Sequence, residues 1–266
     1  MHLIRPALVA VAVLPLAGCF QASTVINVKA DGTGTIEQRL LLTDAAMDQL
    51  RAMAILGGGA ANADPTSEAQ ARSLAESLGP GVTYVSSTPV KTDKAQGRDA
   101  VYAFTDITRL HVSEQPRLPA GPISPGGSAN VGELTFILTR EPDGNARLRV
   151  QVPTLNVLPL DTTGPNGAVT PPTVQQIDMV KTLLAGARLT VAIEPEGRLV
   201  HTSSAFADGN RVVLVDLDLD KVASDPDLVT KLQSPKTVEE AKALVNSLAG
   251  VKVTLDPEIS ITFTPK

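Results

Sequence analysis

Tryptophan is absent from this 266-residue chain, and aromatic residues of all kinds make up 3% of it. Bases and sugar rings are held largely by stacking on aromatic faces, so a nucleic-acid or carbohydrate platform is hard to build here. Basic residues are also in short supply, 23 against 28 acidic ones. Nucleic acids and anionic membrane faces recruit clustered Lys and Arg, so this balance argues against both as the main partner. Cysteine occurs once, as Cys19, which leaves the chain no internal disulfide and makes its stability a matter of packing.

The residues of catalysis are equally sparse. Beyond residue 18 the histidines are His111 and His201, with no HExxH or HxH spacing to hold a metal. His201 falls in mid-strand between Val200 and Thr202, the setting of a satisfied or exposed histidine. No GxSxG occurs, and the serine of "GGSAN" at 126–130 lies in a Pro/Gly loop without a strand-to-helix elbow. "DGTGT" at 31–35 opens a strand, whereas a phosphate cradle opens a helix. These gaps lead to the expectation of a protein that is not an enzyme and takes no cofactor.

What is present begins at the N-terminus. His2 and Arg5 precede the apolar run "ALVAVAVLPLA" at 7–17, a signal-peptide core that is too short to cross a membrane. The run ends in Leu16-Ala17-Gly18-Cys19, the pattern of a bacterial lipobox. Small residues at 17 and 18 let an extended backbone enter a peptidase cleft, and a thiol is the soft nucleophile that forms a diacylglycerol thioether. Cleavage between Gly18 and Cys19 leaves Cys19 as the first residue, carrying acyl chains on sulfur and amine. Two or three chains anchor stably, where one binds only marginally. The expected location is therefore the cell envelope, with the membrane as partner through Cys19. Phe20 follows the cysteine, and no Asp stands there to signal inner-membrane retention. In a Gram-negative source this favours the periplasmic face of the outer membrane. Loss of residues 1–18 removes Arg5, leaving 22 basic and 28 acidic residues, a net charge of −6. From Cys19 to a first strand near Thr24 the chain can extend about 18 Å.

The rest alternates strand and helix signals. "TVINVKADGTGTIEQRLLLT" at 24–43 reads as a hairpin turning at Asp31-Gly32, with Glu37 and Arg39 on one face and Ile36, Gln38 and Leu40 on the other. A helix with Met47, Leu50 and Ala54 in register stops at Gly57-Gly58-Gly59, and a second runs from an Asp64 cap and Pro65 to Gly79. Strands are expected at 82–90 and 99–107, then a hairpin whose second arm alternates Leu148, Val150 and Val152 with Arg147, Arg149 and Gln151. Pro/Gly-rich loops cover 113–131 and 159–172, and a helix with Val174, Ile177, Val180 and Leu184 on its buried side follows. Residues 188–220 read as a three-stranded meander. A helix then opens with a Thr237–Glu240 capping box and stops at Gly250, and a last strand fills 251–263. "ESLGPGVTYV" at 76–85 and "NSLAGVKVTL" at 246–255 echo one another as helix ends feeding strands.

This predicts an α+β fold, mainly antiparallel sheets of hairpins and a meander with helices packed on one face. It forms either one domain over 19–266 or two sub-domains, 24–112 and 132–266, joined by 113–131. Asp216, Asp218 and Asp220 alternate with leucines and so share a strand face, which raises a calcium site. Neighbours two apart on a strand are about 7 Å apart, wide for one ion, and a solvated face is the favoured reading. Helix stripes of Ala, Val, Leu and Met over a sheet either fill a core or line a lipid-sized cavity.

Three stretches together, "LAGC", "TVINVKADGTGTI" and "RLTVAIEPEGRLVHTSSAFADGNRVVLVDLDL", resemble LppM-type bacterial lipoproteins. The resemblance implies an α+β domain that binds lipid at the cell envelope, and it implies no catalytic residues. The function expected is a lipid-anchored envelope protein that binds an apolar ligand or a partner. The alternative is a structural or assembly lipoprotein that docks another envelope protein through its Pro/Gly loops.

Overall fold

The computed structural model describes residues 20–48, 64–113, 132–153, 186–225, 227–233 and 238–266. Among the described residues strand outweighs helix, and antiparallel pairs dominate. The residues of the signal segment, Cys19, the triglycine, the Pro/Gly loops apart from Ser113, the 174–184 helix and Thr237 of the capping box lie outside the described residues.

β1 (Phe20–Val28) and β2 (Gly34–Leu42) form the expected hairpin, in register from Phe20↔Leu42 to Val28↔Gly34. β1 starts at Phe20, not near Thr24, so the spacer expected after Cys19 is itself strand. The reason is on both flanks: Gln21 pairs with Leu41 of β2 and with Arg188 of β8 (Arg188–Pro195), which runs parallel to β1. β3 (Val82–Lys91) and β4 (Gln96–Phe104) make a second hairpin, and β4 lies along β2. With β10 (Ala207–Asp208), β11 (Arg211–Asp218) and β12 (Val251–Val253) these strands complete an eight-stranded sheet in the order β10-β11-β8-β1-β2-β4-β3, with β12 on β11. Strands from both sides of residues 114–131 thus share one sheet.

The second sheet has five strands, β5 (Val112–Ser113), β6 (Glu133–Arg140), β7 (Ala146–Gln151), β13 (Glu258–Pro265) and β9 (Gly197–Thr202), in that order. The meander expected over 188–220 does not form. β8 pairs with β11, while β9 leaves through Glu196 and pairs with β13 in the other sheet. Asn210 fixes this parting, because its side chain accepts from Leu199 N at 2.7 Å and donates to the Pro195 carbonyl. The single last strand is also two, β12 in one sheet and β13 in the other.

Both sheets bury one face in a common core. A single row of neighbours crosses the larger sheet as Val212, Ile193, Ile26, Ile36, Tyr102 and Tyr84, of which the first five are at most 1% exposed. Phe136, Leu148, Ile261 and Phe263 face the same core from the second sheet. In the next row Gly34 admits the Phe104 ring: a Cβ there would lie 2.5 Å from Phe104 Cζ and 2.0 Å from the Asn27 carbonyl oxygen. Glycine is required by that close approach.

The helices are short. α1 (Glu68–Ser77) is capped by Ser67, whose side chain accepts from Gln70 N at 3.2 Å. Asp64 is not the cap, since its carboxylate closes a turn onto Thr66 N instead, at 2.8 Å. α2 (Leu219–Ala223), α3 (Leu228–Gln233) and α4 (Val238–Ser247) follow β11 in turn. The echo between 76–85 and 246–255 is real at the backbone: α1 and α4 feed β3 and β12 through positive-φ glycines, Gly79 and Gly81 in one case and Gly250 in the other.

Candidate functional site

α1 lies over the core face of β2 and β4 and meets it through small residues. Ala71 and Ala75 are its buried positions, and small side chains let the helix axis approach the sheet. Tyr102 rises from β4 toward Ala71, 1% exposed, and its hydroxyl donates to the Ala71 carbonyl at 3.0 Å. Burial, with Tyr84 alongside, pushes the Tyr102 phenol up to about 12. Tyr84 packs edge-on against Tyr102 with ring centroids 6.2 Å apart, and the Arg72 guanidinium of α1 caps it 4.3 Å from the ring centre.

Below this junction a crevice opens between α1 and the sheet. Leu40, Ala71, Leu74, Ala100 and Tyr102 form its apolar walls, and Gln38, Gln70 and Arg98 stand at polar positions among them. Arg98 is held in place, with Nε donating to the Thr66 carbonyl and Nη1 to Ser87 Oγ, both at 2.7 Å. The crevice measures about 60 Å³. Pockets that enclose a small organic ligand run to roughly 300–1,000 Å³. In this conformation the stripe of α1 fills a core and does not line a lipid-sized cavity.

The second sheet presents a different surface. Its core face takes Leu148 and Val150, so the alternation of β7 turns Arg147 and Arg149 outward. Thr262 of β13 stands between Arg147 and His201 of β9, and Arg198 lies opposite Thr264. Arg147 pairs with Glu141 at 2.6 Å, while Arg149 and Arg198 have no acidic partner among the described residues. The alternation in "ARLRVQV" predicts one wet arginine-bearing face, but its junction with His201 and Arg198 depends on β9 joining β13, which no local pattern reveals.

The three aspartates weighed for calcium do different work. Asp216 remains on β11 and accepts from Thr190 Oγ1 at 3.3 Å. Asp218 ends the strand and caps α2, accepting from Lys221 N and pairing with Arg188. Burial raises its pKa, but the hydrogen bonds from Arg188 and the Lys221 amide, with the charges of both side chains, outweigh this and hold the carboxyl below its ordinary range. Asp220 is helical and accepts from Gly186 N at 2.6 Å. The common strand face expected for the three is therefore wrong, because the strand stops where Asp218 turns the backbone into a helix. Among the described residues no group of three His, Cys, Asp or Glu side chains is placed to hold a metal ion.

His111 Nδ1 lies 2.8 Å from Glu133 Oε2, bridging the segment after a 3-10 turn (Ile107–Arg109) to β6. "DGTGT" forms the β1–β2 turn, with Asp31 accepting from Thr33 N and Thr33 Oγ1. "GGSAN" and Cys19 fall outside the described residues. Among the described residues no helix is long and apolar enough to cross a membrane.

No protein-family model matches the chain, and no curated protein matches it. Among solved structures, the folded domain of Mycobacterium tuberculosis LppM, determined by NMR, is similar over 96% of this chain and 95% of that one, at 10% sequence identity and a TM-score of 0.35. This likeness is distant and assigns the chain neither ligand nor partner.

Proposed function

We propose that this chain is a non-enzymatic bacterial lipoprotein, held on the cell envelope by acyl chains on Cys19, whose folded part binds an envelope partner on its surface. The observation that carries the anchor is the Leu16-Ala17-Gly18-Cys19 box at the end of an apolar signal core. The binding role draws support from the junction beneath α1, where the crevice among the described residues measures only about 60 Å³ and so favours a surface as the place for recognition. The arginine face of the second sheet is the described surface that such a partner would meet, and the Pro/Gly-rich sequences at 113–131 and 159–172 are the further candidates.

Labelling cells with radioactive palmitate tests the anchor. The native chain incorporates label and Cys19→Ala does not; label retained by Cys19→Ala overturns the reading. Crosslinking from the two Pro/Gly loops and from Arg149 tests the partner, and a complex of the same mass from at least one of them is expected.

A second reading, binding of an apolar ligand, is favoured by one observation, the apolar crevice beneath α1. It requires α1 to move away from Tyr102, since about 60 Å³ does not admit an acyl chain. Solvent extraction of the purified protein followed by mass spectrometry checks it, and a lipid recovered at near one per chain is the outcome that would promote this reading.

A further inference from the structure

We propose that the end of the eight-stranded sheet that bears Phe20 is seated on the bilayer, so that the lipoprotein stands upright on the membrane with its second sheet held away from it. The proposal rests on the reading of Cys19 as the acylated residue and adds an orientation to it. A lipoprotein with a flexible spacer can tumble about its anchor. Here no spacer is available, because the residue after Cys19 is already the first of β1. That strand end is clamped on both sides: Phe20 pairs with Leu42, and Gln21 pairs with Leu41 and Arg188. The direction of β1 is thereby the direction in which the whole sheet leaves the membrane.

The register shows what shares that end. Phe20, Leu42, Gln96 and Lys91 form one row across β1, β2, β4 and β3, and the Thr92–Ala95 turn lies beyond the row. The same end carries its own apolar cluster, separate from the main core: Leu42, Ala46 and Met47, with Phe20 and Leu40 packed against them. Leu42, Ala46 and Met47 are buried in this cluster, so it is the half-buried Phe20, beside the acyl anchor, that gains by resting in the interfacial region. The opposite end of the sheet is where the two sheets meet. Glu196 N donates to the Val28 carbonyl at 2.7 Å, and Gly32 approaches Leu138 of β6. At about 3.3 Å per residue, the row containing Asn27 stands about 23 Å farther out than Phe20.

Electrostatic attraction is not what seats this end. Among the described residues, Lys91, Lys94, Arg188 and Lys221 are offset there by Asp44, Asp48, Asp93, Asp218 and Asp220. Arg188 and Lys221 both pair with Asp218. Seating should then be indifferent to the anionic lipid content, unlike that of a polybasic segment.

Two matched labels test the orientation on the acylated full chain. Asp93→Cys lies at the exposed Thr92–Ala95 turn, and Asp208→Cys on β10, where Asp208 pairs with Arg211 beside the far end of β8. Both remove one negative charge, and with Cys19 blocked as a thioether the introduced thiol is the one that reacts with an environment-sensitive maleimide dye. Each protein is reconstituted in phosphatidylethanolamine vesicles with and without phosphatidylglycerol, containing a headgroup-nitroxide lipid. The dye at 93 should be quenched several-fold more than the dye at 208, to the same degree in both vesicle types. Equal quenching, or stronger quenching at 208, overturns the orientation and leaves the anchor standing. A chain that mass spectrometry shows to be unacylated overturns the anchor and the orientation together.

Discussion

Tyr102→Phe removes one oxygen from the centre of the junction between α1 and the sheet and leaves the ring. The Tyr102 hydroxyl has the Ala71 carbonyl as its partner at 3.0 Å, and the side chain is 1% exposed. A buried hydrogen bond of this kind contributes about 0.5–1.5 kcal/mol, and leaving its acceptor with one partner fewer raises the loss toward about 2 kcal/mol. For a domain of this size, 1 kcal/mol lowers the melting temperature by about 2–4 °C. Urea unfolding followed by circular dichroism should show an earlier midpoint with an unchanged slope, since the surface exposed on unfolding is the same. The variant also bears on function. If α1 must leave Tyr102 to admit an apolar chain, loosening that contact raises uptake of a fluorescent fatty acid at a fixed concentration. A variant as stable as the parent refutes the claim that the hydroxyl ties α1 down. A destabilised variant that takes up no more probe than the parent argues against the apolar-ligand reading.

Other perturbations test other parts of the fold. The folded pKa of Asp218 is depressed, so its contribution is fully present above the unfolded value of about 3.9 and is lost as the pH falls through the folded one. Asp218→Asn keeps a capping side chain but loses the Arg188 pair, and should flatten the decline in stability below about pH 5, whereas Asp218→Ala also loses the cap and should cost about 0.5–2 kcal/mol more at neutral pH, both read by urea unfolding at a series of pH values. Pro89 lies inside β3, an edge strand, and Pro89→Val restores an N–H to that edge. Light scattering should record a higher mass for this variant than for the parent at equal concentration, and equal masses would deny the proline a protective role.

Much of the local structure was legible because it is written locally. The β1–β2 turn is announced by Asp31-Gly32, and Gly32 has φ of 89° there. The β6–β7 turn is announced by Asp143-Gly144, and Arg147 and Arg149 alternate with buried Leu148 and Val150 as the period of two requires. What failed is pairing at a distance. The parallel contact of β1 with β8 joins residues more than 160 positions apart, and together with the long register against β2 it carries the strand back to Phe20. The parting of β8 from β9 turns on a side chain, Asn210, that in sequence is one more turn residue. Asp218 was misread for a similar reason: "VDLDLD" continues a strand by alternation, yet aspartate is also a preferred helix cap, and the Arg188 and Gly250 contacts decide between the two. At the candidate site, the apolar stripe of α1 is legible but its closeness to the sheet is not, because that depends on the distant Tyr102 of β4 reaching the Ala71 carbonyl.

Among the described residues two large apolar side chains stand well exposed, Val85 at 54% and Val200 at 50%, and they invite reading as a binding patch. Their positions in the ladders argue otherwise. The register of β3 against β4 skips between Tyr84 and Ser86, and that of β9 against β13 skips between Leu199 and His201, so each valine is the extra residue of a bulge. A bulge breaks the alternation locally and turns its residue away from the face that its parity would give it. Both bulges are on edge strands, β3 of the larger sheet and β9 of the smaller. Edges are where a free row of backbone donors invites another chain, and a bulge that twists the strand spoils the template. Pro89 in β3 acts to the same end by removing a donor. The exposed valines are therefore the visible cost of guarding two edges, and the partner proposed above is better sought on the arginine face than on them.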